Sequence, residues 1–221
     1  MKKNVIVNIS ILLIFMLFLV ISASYAYFTS NINTTNITKV NTNLASADAT
    51  FMAYSTDPLS ISAELSDFMT ASASPVETDN GVIVVKLSSS TAGQVAHCTY
   101  DVRFVWDSTT QYTTASQTLS SGTYELSILG SRTTTGDTSG HSYASKNLSE
   151  TNLTNLTWNG TAGTAGRYAT LVSGAEIYSN ATTDTTTTWT FTINLYSLSG
   201  NQSSIINKNY QAHLAVTNIV C

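Results

Sequence analysis

Charged side chains are scarce in this sequence. Asp, Glu, Lys and Arg make up 10% of its 221 residues, whereas roughly 25% is usual in soluble domains. Thr, Ser and Asn fill the polar positions instead. Lys2 and Lys3 are the only charged residues among the first 26, so 7 of the 9 basic and all 13 acidic side chains belong to residues 27–221, a formal charge of −6. No basic patch remains, which argues against nucleic acid and anionic membrane surfaces as partners.

Proline and glycine are also few, with 2 and 11 residues. The chain is not of the disordered type, because 43% of its residues are hydrophobic and these supply enough apolar surface for a core. Threonine is β-branched and favours extended backbone, while serine and asparagine favour turns. The composition therefore predicts strands joined by polar loops, in one domain or two small ones.

Recognised motifs for catalysis and cofactor binding are missing. The three histidines, at positions 97, 141 and 213, have no metal-ligand spacing. His97 and His213 fall on the polar parity of their strands and are expected at the surface, and His141 falls in a glycine-rich loop. The GDTSG at residues 136–140 resembles G-x-S-x-G, but its spacing is wrong and the strand–turn–helix context is absent. We therefore expect no enzyme activity, no cofactor and no metal.

The first residues have the features of an export signal. Lys2 and Lys3 precede an apolar run that includes eleven uninterrupted hydrophobic residues. Small side chains follow at Ser24 and Ala26, which are the −3 and −1 positions of a cut before Tyr27. Signal peptidases require small residues there, so the sequence predicts cleavage between Ala26 and Tyr27.

An uncleaved membrane anchor is the alternative for residues 1–26. Residues 5–26 would span about 33 Å as a helix, enough to cross a bilayer. The two lysines would remain cytoplasmic, so the rest of the chain would be outside in either case. The expected location is extracellular or at the cell surface, with membrane contact only through this segment.

Residues 27–48 are polar and are interpreted as a linker or a first strand, and residues 49–221 as one β-rich domain. The clearest strand has its large apolar residues on one parity: Cys98, Tyr100, Val102, Phe104 and Trp106. Alternation recurs at residues 59–65, 124–128, 189–195 and 210–216, which favours antiparallel pairing. We predict an all-β antiparallel sandwich of seven to nine strands, with a closed barrel as the alternative.

Two segments of this domain are predicted as loops. Asp79-Asn80-Gly81 has the pattern of a hairpin turn, and residues 82–87 are expected to form a strand buried on both faces. Residues 130–165 hold many Gly, Ser, Thr and Asn with little periodicity. They are expected to form a long loop insertion, with a short helix near residues 148–156.

The two cysteines predict a disulfide between Cys98 and Cys221, because an exported chain with an even number of cysteines favours pairing. The alternatives are two free thiols, or a bond from Cys221 to a second molecule. One difficulty is that Cys221 does not share the parity of Leu214 and Val216. A bulge or a strand end near Asn218 must correct it.

Several short blocks resemble a known group of proteins. The SYAYFT at residues 24–29, directly after the apolar run, is similar to the leader junction of small Firmicutes surface proteins related to the TasA/camelysin group. Residues 98–100 with Trp106-Asp107 resemble the middle of such proteins. Residues 189–192 through Asn209-Tyr210 and the terminal Cys221 resemble their end. The likeness covers the leader and three short blocks.

This resemblance implies a jelly-roll-like sandwich, processing by a signal peptidase of the SipW type and, as in the best-known members, assembly into matrix fibres. Camelysin members have been described as metalloproteases, but no ligand set for that activity is present in this sequence.

The expected function is that of an exported cell-surface or matrix structural protein, including a fibre-forming subunit. Residues 29–43 are a candidate donor strand that would pair with the sheet edge of a neighbouring copy. The alternative is a surface adhesin or carbohydrate-binding module, in which exposed rings such as Tyr112, Tyr143 and Tyr196 would stack on sugars.

Overall fold

Antiparallel strands dominate the part of the chain that the structure describes. The computed structural model describes residues 38–40, 49–56, 58–89, 95–137, 140–144 and 146–221, all within a compact unit of residues 37–221. The predicted signal segment and its Ala26–Tyr27 junction lie outside the described residues. No helix in the described part of the chain is long and apolar enough to cross a bilayer.

Eleven strands and two short 3-10 helices are present in these residues. The strands are β1 Thr38–Val40, β2 Phe51–Ser55, β3 Leu59–Ala63, β4 Glu77–Leu87, β5 His97–Trp106, β6 Leu126–Thr135, β7 Leu148–Asn152, β8 Trp158–Asn159, β9 Tyr168–Tyr178, β10 Thr185–Leu195 and β11 Lys208–Val220. The 3-10 helices are Leu65–Phe68 and Leu153–Asn155.

The strands form two sheets. One has six strands in the order β1-β2-β4-β10-β6-β7, and the other has five in the order β3-β11-β5-β9-β8. Every pairing is antiparallel. Each sheet keeps its own two edges, so the predicted antiparallel sandwich is confirmed and the barrel alternative is wrong. The predicted number of seven to nine strands is too low, because the described residues form eleven.

Alternating side chains of both sheets fill the core between them. In β5 all five apolar residues of the predicted parity are at most 1% exposed, and their neighbours on the other parity reach solvent. In β10, Trp189, Phe191 and Leu195 are fully buried. The Nε1–H of Trp189 donates to the Tyr100 hydroxyl across the core at 3.0 Å. This bond satisfies the indole donor, which would otherwise be buried without a partner.

The predicted turn at residues 79–81 is wrong, because these residues belong to β4. Gly81 has no positive φ. A Cβ built on it would lie 2.9 Å from Cγ of Leu59 and 3.1 Å from Cδ1 of Leu214. Glycine is present here because two leucines pack directly against the backbone of the strand, and not because a turn needs it. Residues 82–87 continue the same strand, and they are buried on one face only, whereas the sequence predicts burial on both faces.

The expectation of a loop over residues 130–165 is also corrected. Strand β6 continues to Thr135 along β10, and β7 and β8 lie within the segment. The expected short helix is one 3-10 turn after β7. The sequence signal is weak because this part of β6 pairs threonines with threonines, as in Thr133 with Thr188. Strands that are polar on both parities show no hydrophobic period.

Candidate functional site

The structure brings together Cys98 and Cys221, the two cysteines for which the sequence predicts a disulfide. Their sulfur atoms are 2.05 Å apart, which is disulfide-bonding distance, and the two residues are 123 positions apart in the chain. A register shift between Thr217 and Val220 makes this pairing of the cysteines possible. One extra residue of β11 is accommodated in this interval, so that Cys221 comes to lie opposite Cys98. This is the irregularity near Asn218 that the parity argument requires.

The register of β5 also shifts against β9, between Tyr100 and Arg103, and one carboxylate bonds to the irregular residue of the neighbouring strand on each side of β5. Oδ1 of Asp101 accepts a bond from the backbone N–H of Gly174 in β9 at 2.8 Å, and Oδ2 accepts one from Nδ2 of Asn218 in β11 at 2.6 Å. Gly174 and Asn218 both have positive φ, 59° and 52°. Burial acts to raise the pKa of Asp101, but these hydrogen bonds outweigh it and hold the pKa below its usual value.

The edge of the six-stranded sheet is formed by the polar N-terminal segment. Residues 38–40 pair antiparallel with β2, with Thr38 opposite Ala53 and Val40 opposite Phe51. Phe51 and Ala53 point into the core, and Met52 between them is half-exposed. Strand β1 thus covers three of the five positions of β2 by backbone pairing.

A stack of three rings joins the loop after β6 to the end of the five-stranded sheet. The Tyr178 ring lies between two imidazoles, 4.3 Å from that of His97 and 4.1 Å from that of His141, and nearly parallel to both. His141 Nδ1 also lies 3.2 Å from Oδ2 of Asp137, which accepts a bond from the Tyr143 hydroxyl at 2.7 Å. Sequence reasoning missed this cluster because its members come from three separate segments.

His97 and His213 lie at the surface side of their strands, as expected from parity, but each has an acidic neighbour. His97 Nε2 lies 3.6 Å from Oε1 of Glu176, and Nδ1 of His213 contacts Oδ1 of Asp107. In the described part of the chain, no three His, Cys, Asp or Glu residues are grouped closely enough to hold a metal ion.

Glu125 is a fully buried carboxylate with four hydrogen-bond donors. Its Oε2 accepts bonds from the Tyr112 hydroxyl at 2.7 Å and from the backbone N–H of Ser116 at 2.8 Å. Its Oε1 accepts from the hydroxyl of Ser116 and from Nε2 of Gln202 at 3.0 Å. Tyr112 is 1% exposed, so the expectation that its ring is available for sugar stacking is wrong.

A polar cleft of about 460 Å³ lies between the segment before β6 and strand β7. Glu150 of β7 lines it, and Oε1 of this residue accepts three bonds, from the Ser127 hydroxyl at 2.6 Å, Nδ2 of Asn194 at 3.1 Å and the Tyr196 hydroxyl at 2.8 Å. Burial acts to raise the pKa of Glu150, but the three donors outweigh it and keep the pKa below its usual value. Burial and the bond to Glu150 raise the pKa of Tyr196 to about 12.

Comparisons of the chain with family models, with curated proteins and with solved structures find no match.

Proposed function

We propose that this chain is an exported structural protein of the bacterial cell surface or extracellular matrix, and that its copies associate by strand donation. The observation that carries the proposal is the pairing of residues 38–40 with β2. These residues belong to the polar segment of residues 29–43, which the sequence predicts as a donor strand. The proposal includes export through residues 1–26, processing at Ala26–Tyr27 by a peptidase of the SipW type, a jelly-roll-like sandwich and an extracellular or surface location.

Backbone pairing at β2 supports donation because it does not depend on which copy supplies the strand. A strand from a neighbour would make the same N–H···O=C bonds with Phe51–Ala53 that β1 makes within the chain. Ten residues, 41–50, connect β1 to β2. Extended, they would reach about 33 Å, enough to carry β1 to an adjacent subunit. The edge would then be covered either by the chain itself or by the next copy.

A cysteine cross-link distinguishes these two arrangements. Position 39 lies opposite Met52 in the β1–β2 register. In the variant Lys39→Cys/Met52→Cys, oxidation of assembled protein joins neighbouring copies if β1 is donated, and joins β1 to its own β2 if it is not. We expect a ladder of covalent oligomers on a non-reducing denaturing gel of the assembled sample. A monomer band alone from filament samples would contradict strand donation.

The matched control places two cysteines opposite each other in the interior of the same sheet. Val84 of β4 faces Thr188 of β10, so Val84→Cys/Thr188→Cys gives only an internal bridge and no ladder.

In a second test, deletion of residues 27–45 removes the donor but keeps the strands that form the core. We expect a folded protein without filaments, and unchanged filaments in electron micrographs of this deletion would argue against the proposal.

A further inference from the structure

We propose that the cleft beside Glu150 is a binding site for a neutral saccharide. The cleft lies at the β7 edge of the six-stranded sheet, opposite the β1–β2 edge that the proposed assembly uses. It has about 460 Å³ of space, within the range of small-ligand sites. The proposal does not depend on strand donation, because none of the described residues that line the cleft belongs to β1 or β2.

Glu150 offers the cleft a carboxylate oxygen with unused hydrogen-bonding capacity. All three donors that hold this side chain bind Oε1. Among the described residues, no donor binds Oε2. One bond from β6 and two from the end of β10 and the residue after it fix the orientation of the carboxylate before any ligand arrives. A preoriented, ionised acceptor binds a hydroxyl group more strongly than a neutral acceptor does.

The charge and the hydrogen-bonding groups of the lining favour a neutral, hydroxyl-rich ligand. Glu150 is the only charged residue among the described residues that line the cleft, and no Lys, Arg or His lies there. An anionic ligand would therefore meet repulsion without compensation. The other polar lining groups are mainly small hydroxyls and amides, including Ser120, Ser121, Thr151, Thr154 and Asn155. Such groups donate and accept, as the hydroxyls of a sugar do.

One aromatic ring completes the site. Tyr124 lines the cleft, and its ring centroid lies 6.0 Å from that of Tyr196. Tyr196 is held in turn by its bond to Glu150. Tyr196 thus contacts both the ring and the carboxylate. An apolar ring face beside a carboxylate suits the C–H face and the hydroxyl edge of a pyranose.

The test measures binding of defined probes to the purified protein by NMR of the backbone amides. The probes are neutral tetrasaccharides of glucose, mannose and N-acetylglucosamine, with polygalacturonate as an anionic comparison and Ca²⁺ as a cation comparison. We expect at least one neutral probe, at about 10 mM, to shift the amides of residues 120–124 and 150–155 selectively. Glu150→Gln should weaken this binding about tenfold, because it replaces a charged acceptor with an amide.

Two variants accompany this substitution. Tyr124→Ala removes the ring but leaves the carboxylate in place, and we expect it to weaken binding roughly threefold or more. It serves as the test of the site if Glu150→Gln does not fold. Glu176→Gln in β9, on the other sheet, is the matched control and should leave binding unchanged. Four results overturn the proposal: no shift with any neutral probe, unchanged affinity in both cleft variants, tighter binding of polygalacturonate, or shifts that Ca²⁺ alone produces.

Discussion

Glu125 is a single residue on which two loops converge. Tyr112 and Ser116 belong to the connection before β6, and Gln202 belongs to the connection before β11, yet all three donate to this carboxylate. A buried carboxylate is costly unless donors compensate it, and removing it leaves the donors buried without an acceptor.

We therefore predict that Glu125→Ala lowers the free energy of unfolding by about 3 kcal/mol. Urea unfolding followed by tryptophan fluorescence measures this loss. Glu176→Ala is the control, since Glu176 has 37% side-chain exposure, and its effect should stay within about 0.5 kcal/mol. Equal losses in the two variants would show that the four donors to Glu125 contribute little.

The position of Tyr112 shows why some single-residue expectations from the sequence are wrong. Its neighbours in the chain are polar, so a local pattern places its ring at the surface. The ring is buried because its hydroxyl reaches Glu125, thirteen residues away, and because it packs edge-on against Tyr210. Neither contact follows from periodicity. In contrast, the burial of Trp189 and Phe191 is predictable, because they alternate with threonines along one strand.

At the scale of the strand, one extra residue in β11 decides which side chain meets Cys98. The bulge at Asn218 brings Cys221 opposite Cys98. Without the bulge, the register at Thr217 would continue, and Val220 would take that place. Cys221 would then lie one position further along, with its side chain on the other face of the sheet.

Deletions in this stretch test the register directly. Deletion of Asn218 alone removes the extra residue and leaves a regular strand in which Cys221 still faces Cys98, so we expect the disulfide to form. Deletion of Asn218 together with Ile219 shortens the strand by one more residue. Cys221 would then face Thr99 with its side chain on the outer face, and we expect both thiols to stay free.

Mass spectrometry of the denatured protein after alkylation counts the free thiols. We expect two alkylated cysteines in the two-residue deletion, and none in either the one-residue deletion or the unaltered chain. The one-residue deletion is the matched control, because it shortens the same strand without changing which residue faces Cys98. Formation of the disulfide in the two-residue deletion would mean that strand register does not set the pairing.

Asp101 of β5 bonds to Gly174 of β9 and to Asn218 of β11, and the stability that these bonds contribute depends on pH. Its folded pKa is depressed, so the stability it contributes is present above the unfolded value of about 4. This contribution is lost as the pH falls through the folded pKa and the carboxylate is protonated. We predict that Asp101→Asn lowers the free energy of unfolding by about 1 kcal/mol at pH 6. The difference between the two proteins should shrink progressively as the pH falls below about 4, as measured by urea unfolding at each pH. A difference that stays constant from pH 6 to well below about pH 4 would contradict the assignment.

Much of the strand pattern is predictable from the sequence, and the irregular parts are not. Parity alone identifies the buried faces of β5 and β10, and the parity conflict at Cys221 is enough to require an irregularity near Asn218. Gly81 is misread because a glycine before an apolar run has the same local appearance in a turn and in a strand. Only the leucines packed against it, which come from β3 and β11, distinguish the two cases. The cleft at Glu150 lies between the segment before β6 and strand β7, and the donors that hold Glu150 come from β6 and the end of β10. No local motif could predict it.

The disulfide and the proposed assembly edge belong to different sheets of the molecule. Cys98 lies in β5 of the five-stranded sheet, and Cys221 follows β11 in that same sheet. The β1–β2 edge lies in the six-stranded sheet. The disulfide closes a loop between residues 123 positions apart and therefore lowers the conformational entropy of the unfolded chain. It is not part of the edge where copies would meet.

We predict that Cys98→Ala/Cys221→Ala lowers the free energy of unfolding by about 3–4 kcal/mol, somewhat below the roughly 5 kcal/mol that chain entropy assigns to so long a loop. Filaments should still form wherever the variant remains folded, because strand pairing at β2 is retained. Urea unfolding measures the first effect, and electron microscopy at low urea and low temperature measures the second. Loss of filaments from a variant that is still folded would show that the two sheets are coupled in assembly. The edge at β2 would then be insufficient by itself, and an assembly contact on the five-stranded sheet would be required.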